Sequence, residues 1–104
     1  MTESVPNAVE LAGHVLERGA MRHTPAGIPV IEFKLAHVSR QLEAGQQRQV
    51  ECEMPCVALG LMAQLMTDSK PGDAMTVSGF LAARSQNSRT LVLHANKIEF
   101  MEGI

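Results

Sequence analysis

"GLMAQLMTDSKPG", residues 60–72, decides how the chain folds. Leu61, Met62, Leu65 and Met66 recur at i, i+1, i+4 and i+5, which puts them on one helical face. The spacing predicts a short helix, ended by Pro71-Gly72. Both flanks alternate with period two instead. One helix in a chain of strands is informative, because its place in the order differs between small β folds.

Upstream, "AVELAGHVLER" (8–18) sets Val9, Leu11, Gly13 and Val15 on one face and Ala8, Glu10, Ala12 and His14 on the other. This is a half-buried strand. Gly13 in its middle predicts a bend or bulge. "HTPAGIP" (23–29) follows. Pro25 fixes φ and Gly27 can take φ > 0, so Pro-Ala-Gly is a tight turn, and Pro29 takes a strand's first position. Residues 30–38 form the second strand, with Ile31, Phe33 and Leu35 inward. Ser39–Gln49 is a polar hairpin with Gly45 near its tip. The third strand runs from about Arg48 to Leu59, with Val50, Cys52, Met54 and Cys56 on one face. Pro55 implies an edge or a bulge there.

Downstream, "AMTVSGFLAAR" keeps Met75, Val77, Gly79 and Leu81 in register, "SQNSR" turns, and "TLVLHANKIEF" is the fifth strand. The order is β-β-β-α-β-β. A helix between strands three and four predicts a mainly β, five-stranded OB-fold Greek-key barrel. Gly13 and Gly79 suit its corners. An SH3-like barrel competes, but it places no helix there.

The 104 residues fit a single domain, 1–104, with residues 1–6 and 102–104 expected to be mobile. No apolar run is long enough to span a membrane, so no membrane partner is expected. No signal peptide is visible, and two cysteines without one predict a cytoplasmic setting. Nine Lys and Arg against eleven Asp and Glu give a net charge of −2. Any basic face must therefore be local. The three aromatic residues, all Phe, limit base stacking.

The strings "TPAGIPVIEFKLAH", "RQVECEMP" and "TVSGFLAARSQNSRTLVLHANKIEF" resemble the primosomal replication protein N (PriB) family. The similarity runs from about Asn7 to Met101. Its marks include Pro25-x-Gly27-Ile28-Pro29, Phe33-x-Leu35-x-His37, Glu43-Ala44-Gly45, Met54-Pro55 and Val92-Leu93-His94-Ala95. The resemblance implies a homodimeric OB-fold that binds single-stranded DNA and joins the PriA helicase, with other primosome proteins, in restarting replication forks.

In an OB-fold, the loops after the first and fourth strands flank the binding face. The Pro25–Pro29 turn then shapes one wall of a groove, unless it is only a stiff hairpin. Arg22 and His23 lie on that wall, and Arg84 and Arg89 flank the other. Lys34 is on the outward face of the second strand, with Arg40 and Arg48 at the hairpin base. Guanidinium groups bind phosphate bidentately and stack on bases, though each of these residues could equally be a solvating charge. Phe80 is out of phase with Val77 and Leu81, so it is the one aromatic placed to stack a base. The resemblance also has departures: the better-known relatives carry aromatics at the places corresponding to Gln46 and Glu51, and more lysines at those of Ser85, Gln86 and Asn87, which predicts weaker DNA binding here.

Cys52 and Cys56 fit a C-x₃-C spacing, but no second pair follows, so both are expected to be buried apolar residues without a metal. His94 is expected on the surface. Phe33 and Phe100 are expected in the core or at a contact between copies. No catalytic motif is present and no cofactor is expected. Two functions stay open: a single-stranded-DNA-binding module, or an interaction adaptor with little DNA affinity of its own.

Overall fold

A computed structural model describes residues 4–101. The elements are β1 (Val9–Arg18), β2 (Arg22–His23), β3 (Pro29–Glu43), β4 (Gln46–Leu59), α1 (Leu61–Met66), β5 (Ala74–Ala83) and β6 (Leu91–Met101). The strands pair in the order β1-β5-β6-β4-β3, and β1 returns to β3. That ring is the closed five-stranded OB barrel. β2 adds to it: Arg22 pairs with Val30 and His23 with Pro29, on the β3 edge that β1 follows further along. Residues 1–3 and 102–104, expected to be mobile, lie outside the described residues. Ser4–Pro6 are exposed and outside any strand.

The two mid-strand glycines sit where the barrel turns its corners. β1 pairs with β5 up to His14 and with β3 from His14 onward. At that handover a Cβ on Gly13 would overlap the Ala36 carbonyl oxygen. His37 Nδ1 there makes a hydrogen bond of 2.6 Å with the Ala12 carbonyl, tying β3 to the departing strand. Gly79 lies at a bulge between β5 and β6, and its Cβ would overlap the His94 carbonyl oxygen. The inward alternation holds for Ile31, Phe33 and Leu35 of β3 and Met75 and Val77 of β5, while β6 changes phase at the bulge, so that Leu93 before it and Ile98 after it both join the core.

Several sequence expectations need correction. α1 ends at Met66, not at Pro71-Gly72, because the Ser69 hydroxyl and amide both donate to the Met66 carbonyl. Its buried face is Ala63 and Met66, whereas Leu61 is 67% and Leu65 42% exposed. Fewer than two helical turns present too little arc to bury all four larger residues. Pro55 makes no bulge: β4 stays in register with β3 from Gln46 to Leu59. It does lie on an open edge, since β4 meets β6 only at Cys56–Ala58. The hairpin is strand almost to its tip, with Glu43 pairing Gln46. Its far end leaves the core behind, so Cys52, on the core-facing parity, is exposed and only Cys56 is buried. Phe100 is 47% exposed at the end of β6 and is not a core residue.

Candidate nucleic-acid interface

The strand registers define one outward face. Directly opposite residues of paired strands point the same way. On β3 that face carries Val30, Glu32, Lys34, Val38 and Arg40, and opposite them on β4 lie Leu59, Val57, Pro55, Glu51 and Gln49. Val57 is level with His94 of β6, and His94 with Phe80 of β5. Val30, Val57 and Val92 bury one another as a small apolar cluster separate from the barrel core. They form the floor of this face.

Two loops place the arginines above that floor. The first is pinned by Thr24: its amide bonds the Ile28 carbonyl, its carbonyl accepts from Gly27, and its hydroxyl accepts from the Ile28 amide. Gly27 takes φ 86°, which supplies the turn's left-handed residue. This holds Arg22 in β2 rather than in a free loop, correcting the expectation that Arg22 and His23 lie on a loop wall. The second loop leaves β5 at Ala83 and is closed by the Arg84 amide donating to Thr90 O. The two side chains converge on Glu32. Arg22 donates to one carboxylate oxygen at 2.8 Å, and Arg84 lies 3.4 Å from the other. Thus the structure brings together two of the arginines chosen from the sequence.

The other candidates are more dispersed. Lys34 is 3.7 Å from Glu17 and 3.9 Å from Glu53. Arg48 is bound to Glu43 at 2.7 Å near the hairpin tip. His23, Arg40 and Arg89 are exposed and make no ion pair among the described residues. Arg89 shares the loop of Arg84 without joining its contact to Glu32. Phe80 is exposed as expected, and its ring stacks on His94 with centroids 5.0 Å apart and planes 8° apart.

A cleft lies on each side of the Glu32–Arg84 contact. One, of about 380 Å³, runs along Glu17, Arg18, Lys34 and Pro55. The other, of about 230 Å³, is lined by Arg22, Thr24, Leu59 and His94 over the valine floor. The two share Glu32, Arg84 and Val92, and together they form a trough with cations along its walls and an apolar bed. Such a trough can hold an anionic chain whose flat apolar groups turn inward.

Sequence reasoning missed Glu32 and the valine floor, and took His94 for a plain surface residue. The signal for the floor was present: Val30 and Val57 are out of phase with the core positions of their strands. A β segment apolar on both parities presents apolar surface to something besides its own core. Glu32 gave no signal, because a Glu at an outward strand position is ordinary.

Among the described residues no helix is long and apolar enough to cross a membrane. Nor do any three His, Cys, Asp or Glu gather as metal ligands there.

Residues 7–97 match the model of "another single-strand binding protein family". The chain is 45% identical to the replication restart protein PriB of Bordetella pertussis, over 93% of this chain and 91% of that one. It superposes on the PriB structure from Ralstonia solanacearum with a TM-score of 0.85 and 32% identity, covering 94% of this chain and all of that one. A deletion variant of the single-stranded DNA-binding protein of Thermus aquaticus gives a TM-score of 0.76 at 28% identity, with 94% of this chain and 51% of that chain covered.

Proposed function

As the chain belongs to the PriB family of single-strand binding proteins, we propose that it binds single-stranded DNA as an accessory protein of replication restart. One observation carries the reading: Arg22 on β2 and Arg84 on the loop after β5 converge on one point above the valine floor, and His94 of the same cleft backs the exposed ring of Phe80. In this reading the guanidinium groups contact phosphates, since their planar forks match phosphate oxygens. Arg89 and Lys34 extend that contact along the trough. Phe80, backed by His94, offers a face to a base. His23, Arg40 and Arg48 add to the local positive field. The whole chain acts as one domain in the cytoplasm, without a cofactor and without catalysis.

Polarisation of a fluorescent oligonucleotide across a salt series tests this. On single strands log K falls with log[salt] at about −0.7 per phosphate contact. Contacts by Arg22, Arg84 and Arg89 therefore give a slope of about −2. Measurable binding with a flat salt dependence would overturn the phosphate contacts.

A second reading has its own support. Glu17, Glu32, Glu51 and Glu53 all lie on or beside the trough, and three of them pair with its cations. A face so neutralised suits an adaptor that holds the PriA helicase more than it holds DNA. The same titration with the helicase present separates the two. The adaptor reading requires tight binding only in the ternary mixture.

A further inference from the structure

The Glu32 carboxylate occupies the point where Arg22 and Arg84 meet. Each oxygen faces a different guanidinium, at 2.8 Å and 3.4 Å. Glu32 is also the acidic residue common to both clefts, so it stands in the middle of the trough rather than at its rim. A carboxylate between two guanidinium groups has the shape and charge of the two non-bridging oxygens of a phosphodiester. The surrounding geometry favours this exchange of anions. Val30, Val57 and Val92 give a bed that hydrates nothing, and the three charged side chains remain partly exposed, at 40–60%. Ion pairs so exposed are weak, and a competing anion can displace them.

We propose that the junction of Arg22 and Arg84 is a phosphate seat, held in the free protein by Glu32, which an incoming strand must displace. Glu32 is thus an internal competitor that lowers affinity for the nucleic-acid backbone. This rests on the reading of the trough as a DNA site and adds a residue that opposes it. The displaced carboxylate swings into solvent from its strand position, and the two arginines exchange one anion for another. No cation is left unpaired on either side of the equilibrium. Affinity for the strand then depends on the difference between two similar contacts.

The test is oligonucleotide binding by Glu32→Gln and Glu32→Thr, the second chosen because a β-branched residue favours a strand. Both remove the competitor, and thermal melting checks that each still folds. Glu51→Gln is the charge control: it removes one negative charge from the same face, where Glu51 accepts a hydrogen bond from Gln49 and pairs with no cation among the described residues. Removal of two exposed ion pairs from the free state is expected to tighten binding about three- to tenfold at low salt. The control should gain less. In a background with Arg22→Gln and Arg84→Gln, the gain from Glu32→Gln should fall to that of the control. If the Glu32 variants fold and bind no tighter than the control while the parent binds, the competitor role is overturned and the DNA reading survives. A silent parent with a binding Glu32→Gln supports the seat. Silence from every variant removes the DNA reading and the seat together.

Discussion

Phe80 is 42% exposed, yet its ring lies flat on His94 at 5.0 Å, so it is held in one orientation without being covered. A preset ring costs less ordering when a base stacks on its free face. Base–aromatic stacking contributes roughly 1–3 kcal/mol, so Phe80→Ala should weaken oligonucleotide binding by about five- to a hundredfold. Phe80→Leu keeps apolar bulk without a π face and should lose nearly as much. Equal affinity of Phe80→Leu and parent in polarisation would show that no base stacks there. Glu51 stands on the same outward face, opposite Val38. Glu51→Trp would add a ring there and is expected to raise affinity about tenfold in the same assay. The cysteines differ more sharply. Burial pushes the Cys56 thiol up to about 12, while Cys52 is exposed. The thiolate is the reactive form. At pH 8 a thiol-titrating disulfide reagent should consume one thiol per native chain, and the second only after denaturation.

At the scale of elements, the β3–β4 hairpin turns on Ala44 and Gly45, with φ 52° and 78°. Two successive positive φ values are the type I′ pattern, which favours Asn-Gly. Ala in the left-handed region costs roughly 1–2 kcal/mol. Ala44→Asn should recover about 1 kcal/mol, raising Tm by about 4–8 °C in a scanning melt. Gly79→Ala should act in the opposite sense, because its Cβ meets the His94 carbonyl in a bulge. Overpacking of that kind costs about 1–3 kcal/mol, readable as a lower urea midpoint. Elements with clean alternation were legible from sequence alone: Ile31, Phe33, Leu35, Met75 and Val77 all face inward as their spacing predicts. The helix was legible in place and not in face, since the lengths of the flanking strands set its rotation. Cys52 misled for a related reason. Parity reports which side a residue points to, and nothing in the sequence says where the barrel stops beneath it. The arginines could be chosen because two loops of an OB-fold converge. Their shared partner, a strand Glu, became visible only when β2, paired to Pro29 and Val30, set Arg22 within reach of it.

The whole molecule measures 49 × 40 × 22 Å, a flattened body with a long arm. Its edges are incompletely paired. Val9–Gly13 of β1 pairs with β5 alone, and β6 beyond Ala95 also pairs with β5 alone. Open edges template further pairing, and a symmetric dimer is the usual closed solution. We expect two copies to cover them. Sedimentation equilibrium at micromolar concentration should then give twice the 11.3 kDa of one chain. A mass of one chain would refute the dimer.

The barrel closes through three parallel pairs, Cys56 with Leu93, Val57 with His94 and Ala58 with Ala95. Every other junction of the ring is longer. A short seam is the cheapest place for the cylinder to unzip without melting. The smaller cleft lies across that seam, touching Val57 and Leu59 on one lip and Val92 and His94 on the other. Anything seated in it staples the lips together. Amide hydrogen exchange should therefore slow at the seam when an oligonucleotide saturates the protein, and stay unchanged at the hairpin tip. The nucleic acid would then be a clasp on the fold as well as its cargo.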